Sequence, residues 1–197
     1  ARLHALGVKQ PYIFNIGGFD VRKNLPMLVE AFADLVADRP GPLTLVIGGA
    51  PHTGNPTVFP PIEPIIADRG IQDRVVLTGR ISEEDKVILM QHAALYVTPS
   101  MYEGFGLTGL EAMACGVPMI AANRSSLPEV VGDAGVLIDP SREQVTAAMR
   151  ALLDVDGRRQ ELARLGLEQA ATFSWDRCAE QTVAVYRHVL EQKKRGS

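Results

Sequence analysis

No apolar run in the 197-residue chain approaches the ~20 residues that a membrane-spanning helix needs, which excludes a helical span within it. Charge of one sign is not in excess either. The formal net charge is −3, no basic stripe is present, and aromatics make up only 6% of the chain. Nucleic acid, which requires clustered cations and stacking rings, is therefore a poor partner. Cysteine is nearly absent. Cys115 and Cys178 both fall in helical-looking, partly apolar segments, so two buried free thiols are expected, not a disulfide, in a reducing, cytoplasmic compartment. The first residues, ARLHALGVKQ, lack the charged-then-apolar layout of a signal peptide and read as the end of a linker. The closing KKRGS reads as a frayed tail. His4, His52, His92 and His188 show no catalytic or metal-ligand spacing and read as surface or structural residues. Asp154-Val-Asp156 lies between predicted helices without the remaining ligands of a calcium loop, so no metal is expected there.

What the chain has is ordinary globular composition, with 46% hydrophobic and 22% charged residues, and length enough for a full core. Short β-branched runs predict strands at Tyr12–Ile16, Leu43–Ile47, Val75–Leu77, Leu95–Thr98, Pro118–Ala121 and Val136–Ile138. Several are apolar on both faces, as strands covered by helices on both sides must be. Between them Leu25–Asp38 carries Leu25, Leu28, Val29, Phe32, Leu35 and Val36 at helical spacing. Ser141–Leu153 opens on a Ser-x-x-Gln capping box, Ser141 to Gln144. Gly48–Pro61 is rich in Gly, Pro, Asn and Thr and reads as a surface loop. After Leu153 the pattern is helical only, over Arg158–Thr172 and Ser174–Gln192. Alternating strand and helix predicts an α/β fold, a doubly wound parallel sheet of Rossmann-like type with a helical C-terminal tail. The divisions expected are a linker remnant over 1–10, the Rossmann-like domain over 11–173 and a final helix with its tail over 174–197.

In such a sheet ligands sit at the carboxyl ends of the strands, so the informative segments are the turns that follow them. Gly17-Gly18-Phe19-Asp20-Val21-Arg22-Lys23-Asn24 follows the first strand. Asn24 is a natural N-cap for the next helix, and Arg22 and Lys23 put two cations where the helix dipole disfavours them. A bound phosphate resolves that conflict; two solvated surface cations are the plainer alternative. The second turn is Pro99-Ser100-Met101-Tyr102-Glu103-Gly104-Phe105-Gly106-Leu107, leading into a helix that carries Glu111. Gly104 and Gly106 admit close backbone approach, and the helix start offers free N–H donors. Two carboxylates beside a phosphate make sense when aimed at neutral diols, because an ionised carboxylate only accepts hydrogen bonds. A nucleoside-diphosphate sugar has that layout of hexose, diphosphate and ribose. The alternative reads the glycines as turn residues and Glu111 as a helix former.

The stretch from Glu103 to Glu111 resembles the Glu-x7-Glu signature of the retaining glycosyltransferases of GT-B fold, which include sucrose synthases, bacterial glycogen synthases and bacterial mannosyltransferases. Further matches follow in family order: Gly17 to Asn24, Val97-Thr98-Pro99-Ser100, Ala112 to Pro118, Leu127-Pro128-Glu129-Val130, Gly135-x-Leu137-x-Asp139-Pro140 and Phe173-Ser174-Trp175. The resemblance implies the C-terminal, donor-binding half of such an enzyme, transferring mannose or glucose from a UDP- or GDP-linked sugar without metal or other cofactor. Arg22 and Lys23 are implied on the donor diphosphate, together with the backbone of Gly104, Phe105, Gly106 and Leu107. Gly18 stands where many relatives carry an arginine, which leaves Lys23 the better-matched cation. Glu103 is implied as the catalytic carboxylate, on the transferred sugar, Glu111 on the ribose, and Arg80 and Ile81 at the base. An N-terminal acceptor domain of the same polypeptide is the implied partner. The last helix, with Trp175, Ala179, Val183, Tyr186 and Leu190 in a stripe, is implied to cross onto that domain, some of it packing on its own. A nucleotide-sugar epimerase of the same fold and a non-catalytic nucleotide-binding module stay open at this point. A glycogen-type phosphorylase lacks its pyridoxal-phosphate lysine context here.

Overall fold

The computed structural model describes residues 2–51 and 54–195. His52, Ala1 of the expected linker, and Gly196 and Ser197 of the expected tail lie outside the described residues. In chain order the elements are α1 Arg2–Ala5, β1 Tyr12–Ile16, α2 Leu25–Ala37, β2 Thr44–Gly48, α3 Glu63–Asp68, β3 Val75–Gly79 and α4 Glu83–His92. They continue as β4 Leu95–Thr98, α5 Leu107–Ala114, β5 Met119–Ala122, α6 Leu127–Val131, β6 Val136–Ile138, α7 Arg142–Asp154, α8 Asp156–Ala170 and α9 Trp175–Arg195.

The six strands form one parallel sheet in the order β3-β2-β1-β4-β5-β6. Each strand reaches the next through a crossover, as parallel pairing demands. Side chains alternate between the two faces of the sheet. Ile13, Leu45, Ile47, Val97 and Ile120 pack with Leu28 and Phe32 of α2 and Val145 and Met149 of α7. Tyr12, Phe14, Val46, Tyr96 and Met119 face the other way, onto Leu89 and Met90 of α4, Ala112 and Met113 of α5 and Val130 of α6. Both layers are fully buried at their centres, the doubly wound arrangement expected from two-sided strands.

Periodicity places β1, β4 and β6 at their observed limits, while β3 runs on to Gly79. α3, α4 and α6 were not marked by a stripe, because each contributes only one to three buried residues. The cap of α7 forms in altered pattern. Ser141 Oγ accepts from the Gln144 N–H at 3.3 Å, but the Gln144 side chain accepts from Asp139 N, at 3.0 Å.

Three expectations need correction at the ends of the chain. The expected linker carries α1, which docks on α4 through Arg2 and Asp85 (2.6 and 3.0 Å), and Val8 is buried. No residue of 174–193 is buried, so α9 does not pack its stripe on its own domain. Cys178 sits on that helix and is exposed, and Cys115 is half-buried, so the expected pair of buried thiols is not found, although both cysteines are free. Burial pushes the Cys115 thiol up, with Glu111 adding to the shift. No described helix is long and apolar enough to cross a membrane.

Candidate functional site

β1 and β4 are neighbours in the sheet, yet the chain leaves them toward opposite edges: β1 leads to β2 and β4 leads to β5. This is the switch point of a doubly wound sheet, where a crevice opens outside the carboxyl ends. The two turns singled out in the sequence follow these two strands. Asn15, buried in β1, donates through Nδ2 to Val97 O of β4 at 2.7 Å and locks the floor between them.

After β1, Asp20 caps a single 3-10 turn, Val21–Lys23, accepting from Arg22 N at 3.2 Å and from Arg22 Nε at 2.6 Å. Arg22 therefore points its guanidinium at Asp20, with 61% of its side chain exposed. Asn24 occupies the N-cap position of α2 in a left-handed conformation, φ 56°, but its side chain makes no cap. It turns away from the helix toward Pro99 O at 3.4 Å, and Pro26 in the first turn removes one N–H that would need a partner. Met101 N donates to Arg22 O at 2.7 Å, so the two turns are joined through their backbones.

Lys23 crosses this joint. Its ammonium donates to both carboxylate oxygens of Glu103, at 2.7 and 2.9 Å, and the two side chains are 22% and 12% exposed. The Glu103 backbone is fixed from the β5–α6 turn. Its N–H donates to Ser125 Oγ at 2.8 Å, and its carbonyl accepts from Ser125 and Ser126 hydroxyls at 3.0 Å each. Ser125 adopts φ 46°, a left-handed conformation costly for a side-chain-bearing residue. Gly106, at φ 97°, then turns the chain into α5, which begins without a side-chain cap. A β-carbon at Gly106 would sit 3.0 Å from Leu127 Cδ2, whereas at Gly104 it would meet nothing within 4 Å. Phe105 and Leu107 are exposed, and the Phe105 ring lies edge-on to Phe173, centroids 5.8 Å apart.

Glu111 lies one turn inside α5. Lys86 of α4 donates to its Oε1 at 2.9 Å and to Glu83 Oε2 at 2.5 Å. Burial alone lowers the Lys86 ammonium, but the two carboxylates outweigh it and its pKa is raised. Beneath the site the Tyr96 hydroxyl is pushed up by burial, with Glu103 and Glu111 adding to the shift. Arg80 and Ile81 follow Gly79 (φ 66°) at the edge strand β3. Arg80 is exposed, while Ile81 packs partly into the core beside α4.

The structure thus brings Lys23, Glu103 and the Gly104–Leu107 backbone together at the carboxyl ends of β1 and β4, with Glu111 on the adjoining helix. It keeps Arg22 on Asp20 and leaves Arg80 at the sheet edge. Asp20, Lys86, Ser125 and Ser126 escaped the sequence reading. The serines follow the carboxyl end of β5, so the strand-end rule applies to them as well. Lys86 lies inside a helix and carries no local signal. Asp154 and Asp156 pair with Arg39 and Arg159. His4, His92 and His188 are exposed.

Residues 3–168 match the sequence profile of the family described as glycosyl transferases group 1. The O-antigen chain mannosyltransferase B of Escherichia coli is 36% identical over 180 residues, covering 90% of this chain and 46% of that protein. The MMP alpha-(1->4)-mannosyltransferase of Mycolicibacterium hassiacum is 36% identical over 173 residues, covering 85% of this chain and 40% of the relative. Among solved structures, sucrose-phosphate synthase from Thermosynechococcus elongatus superposes with a TM-score of 0.82 at 28% identity, over 97% of this chain and 49% of its own. The chain spans less than half the length of each of these proteins.

Proposed function

The chain belongs to the group 1 glycosyl transferases, and from that premise we propose that it binds the nucleoside-diphosphate sugar for a retaining, metal-independent hexosyl transfer. The observation that carries this reading is the Lys23–Glu103 pair at the β1/β4 switch point, a cation and a carboxylate held together beside an uncapped helix start. A diphosphate entering there meets the Lys23 ammonium and the first N–H groups of α5, which are preorganised donors for the charge that develops as it leaves. Arg22 adds a second cation once it turns from Asp20. Glu103, released from Lys23, accepts hydroxyls of the sugar and faces the positive charge growing at the anomeric carbon. Glu111 takes the ribose diol, and Arg80 with Ile81 the base. The leaving phosphate itself takes up the acceptor proton, so no separate nucleophile–base pair is required.

The 36%-identical relatives are named as mannosyltransferases, which favours mannose over glucose and transfer over epimerisation or a non-catalytic module. The acceptor is bound by an N-terminal domain of a longer polypeptide, and α9 supplies an apolar face toward it. The deciding measurement is binding of UDP, GDP, ADP and their hexose conjugates, followed by thermal shift and calorimetry. At a ligand concentration ~100 times Kd a specific donor stabilises the fold by about 2.7 kcal/mol. One base preferred, with binding weakened by Lys23→Ala and by Glu111→Ala, supports the reading. Binding that ignores both substitutions overturns it.

A further inference from the structure

The hydrogen bonding of Glu111 is lopsided. Oε1 accepts from Lys86, whereas Oε2, covered although the side chain as a whole is 42% exposed, has no hydrogen-bond partner, and among the described residues it is the one buried side-chain polar atom left so. A buried carboxylate oxygen without a donor is costly, and native folds complete the set with a ligand, an ion or an ordered water. Lys86 is itself an unusual lysine. Its side chain is only 12% exposed, so its stem is packed and its ammonium has little freedom to leave. Its other partner, Glu83, is 86% exposed, and a pair of that kind contributes little, so Glu111 is the partner that fixes Lys86 within the fold.

We propose that Lys86 is the positioning residue of Glu111: it holds the carboxylate by one oxygen and reserves the other for a hydroxyl of the bound nucleotide. This rests on the donor-binding reading above and adds to it a residue on a different helix, outside both turns that line the cleft. As the diol arrives, Oε2 accepts the O–H donor that the fold does not supply. Lys86 keeps its grip on Oε1 throughout. Without Lys86 the side chain of Glu111 swings freely, and the diol finds no fixed acceptor.

The test compares UDP, GDP and ADP with their 2′,3′-dideoxy counterparts on the 197-residue chain, as wild type, Lys86→Met and Lys86→Arg. Methionine fits a packed stem and keeps the fold, which a thermal melt checks. The wild type is expected to prefer the ribonucleotide of the favoured base by roughly 10- to 100-fold, the worth of hydrogen bonds to a charged group. Lys86→Met is expected to bring that ratio to within about threefold while dideoxynucleotide affinity holds, and Lys86→Arg to restore most of it. A ratio unchanged in Lys86→Met overturns the positioning role and leaves the donor-binding reading intact. Equal loss of both ligands also overturns it, because that is what a merely structural lysine produces. A wild type blind to the diol, yet sensitive to Lys23→Ala, removes Glu111 from the ribose and the proposal with it.

Discussion

The ammonium of Lys23 meets both carboxylate oxygens of Glu103, at 2.7 and 2.9 Å, across 80 residues of chain. The cation proposed for the leaving group and the carboxylate proposed for the sugar thus neutralise each other. Removing either partner leaves the other half-buried and alone, but the two removals differ in what they do to an anion. Lys23→Ala takes away the attraction and leaves a naked carboxylate. We expect nucleoside-diphosphate affinity to fall at least tenfold, or about 1.4 kcal/mol by titration calorimetry. Glu103→Gln frees the ammonium, so the same ligand should bind at least as tightly as to the wild type. In an enzyme that joins this domain to an acceptor domain, transfer should nonetheless drop by a factor on the order of 100, the scale of losing one electrostatic group. Parallel losses of diphosphate affinity in both variants would sink this division of labour.

Gly49 packs tightly against the turn that follows β1. A β-carbon there would lie 2.1 Å from Gly17 O, and the residue sits at φ 114°. Gly49→Ala has no flexible side chain to push aside and must shift the turn after β1. Urea unfolding should show a loss of at least ~2 kcal/mol, combining backbone strain with overpacking. Because Gly17 opens the turn that carries Lys23, diphosphate affinity should fall with it. A variant as stable as the wild type would mean that this turn yields far more readily than its packing suggests.

Far from the cleft, Asp34 of α2 accepts from Arg142 of α7 and from Arg69 after α3. These bonds, Arg142 first, hold its carboxyl down at about 2 against partial burial. A folded-state value below the unfolded one means that the unfolded chain binds the proton first. The contribution is whole above pH ~4 and disappears as pH falls toward 2. With Asp34 31% exposed, screening reduces it to the order of 1 kcal/mol. The stability gap between wild type and Asp34→Asn should therefore be present at pH 7 and close on acidification. A gap that widens on acidification would contradict the assignment.

Along α9, Tyr186 and Leu190 are 66% and 59% exposed. Tyr186→Glu with Leu190→Glu should move the stability of the chain by no more than ~0.5 kcal/mol, the range of surface changes. The same pair should reduce any self-association seen by sedimentation, because it interrupts the apolar stripe. A large drop in stability would show that α9 packs on the domain in solution.

Much of this was legible in the sequence, and what was not has a physical cause. Strand positions follow from local β-branched runs, and the glycine turns announce themselves. Strand order is a long-range property, however, and it is the pairing of β1 with β4 that puts Lys23 beside Glu103. Asn24 looked like a cap because residue type predicts capping, but its left-handed backbone aims the amide at Pro99 instead. Cys178 looked buried because it shares a helix with a stripe of apolar residues; a stripe says that a helix wants a partner and not which one. Lys86 was invisible because a lysine inside a helix is ordinary until its neighbour across the fold is known.

The edge-on contact of Phe105 with Phe173 joins the loop after β4 to the residues just ahead of α9. At 1.5 Å per residue a 21-residue helix is about 30 Å long, so small rotations at its root become large displacements at its tip. Run in reverse, whatever grips the far end of α9 works a long arm against a short one, with its fulcrum a single pair of rings from Gly104 and Gly106. A partner docked on α9 would thus be felt, by leverage alone, at the loop proposed to hold the donor diphosphate.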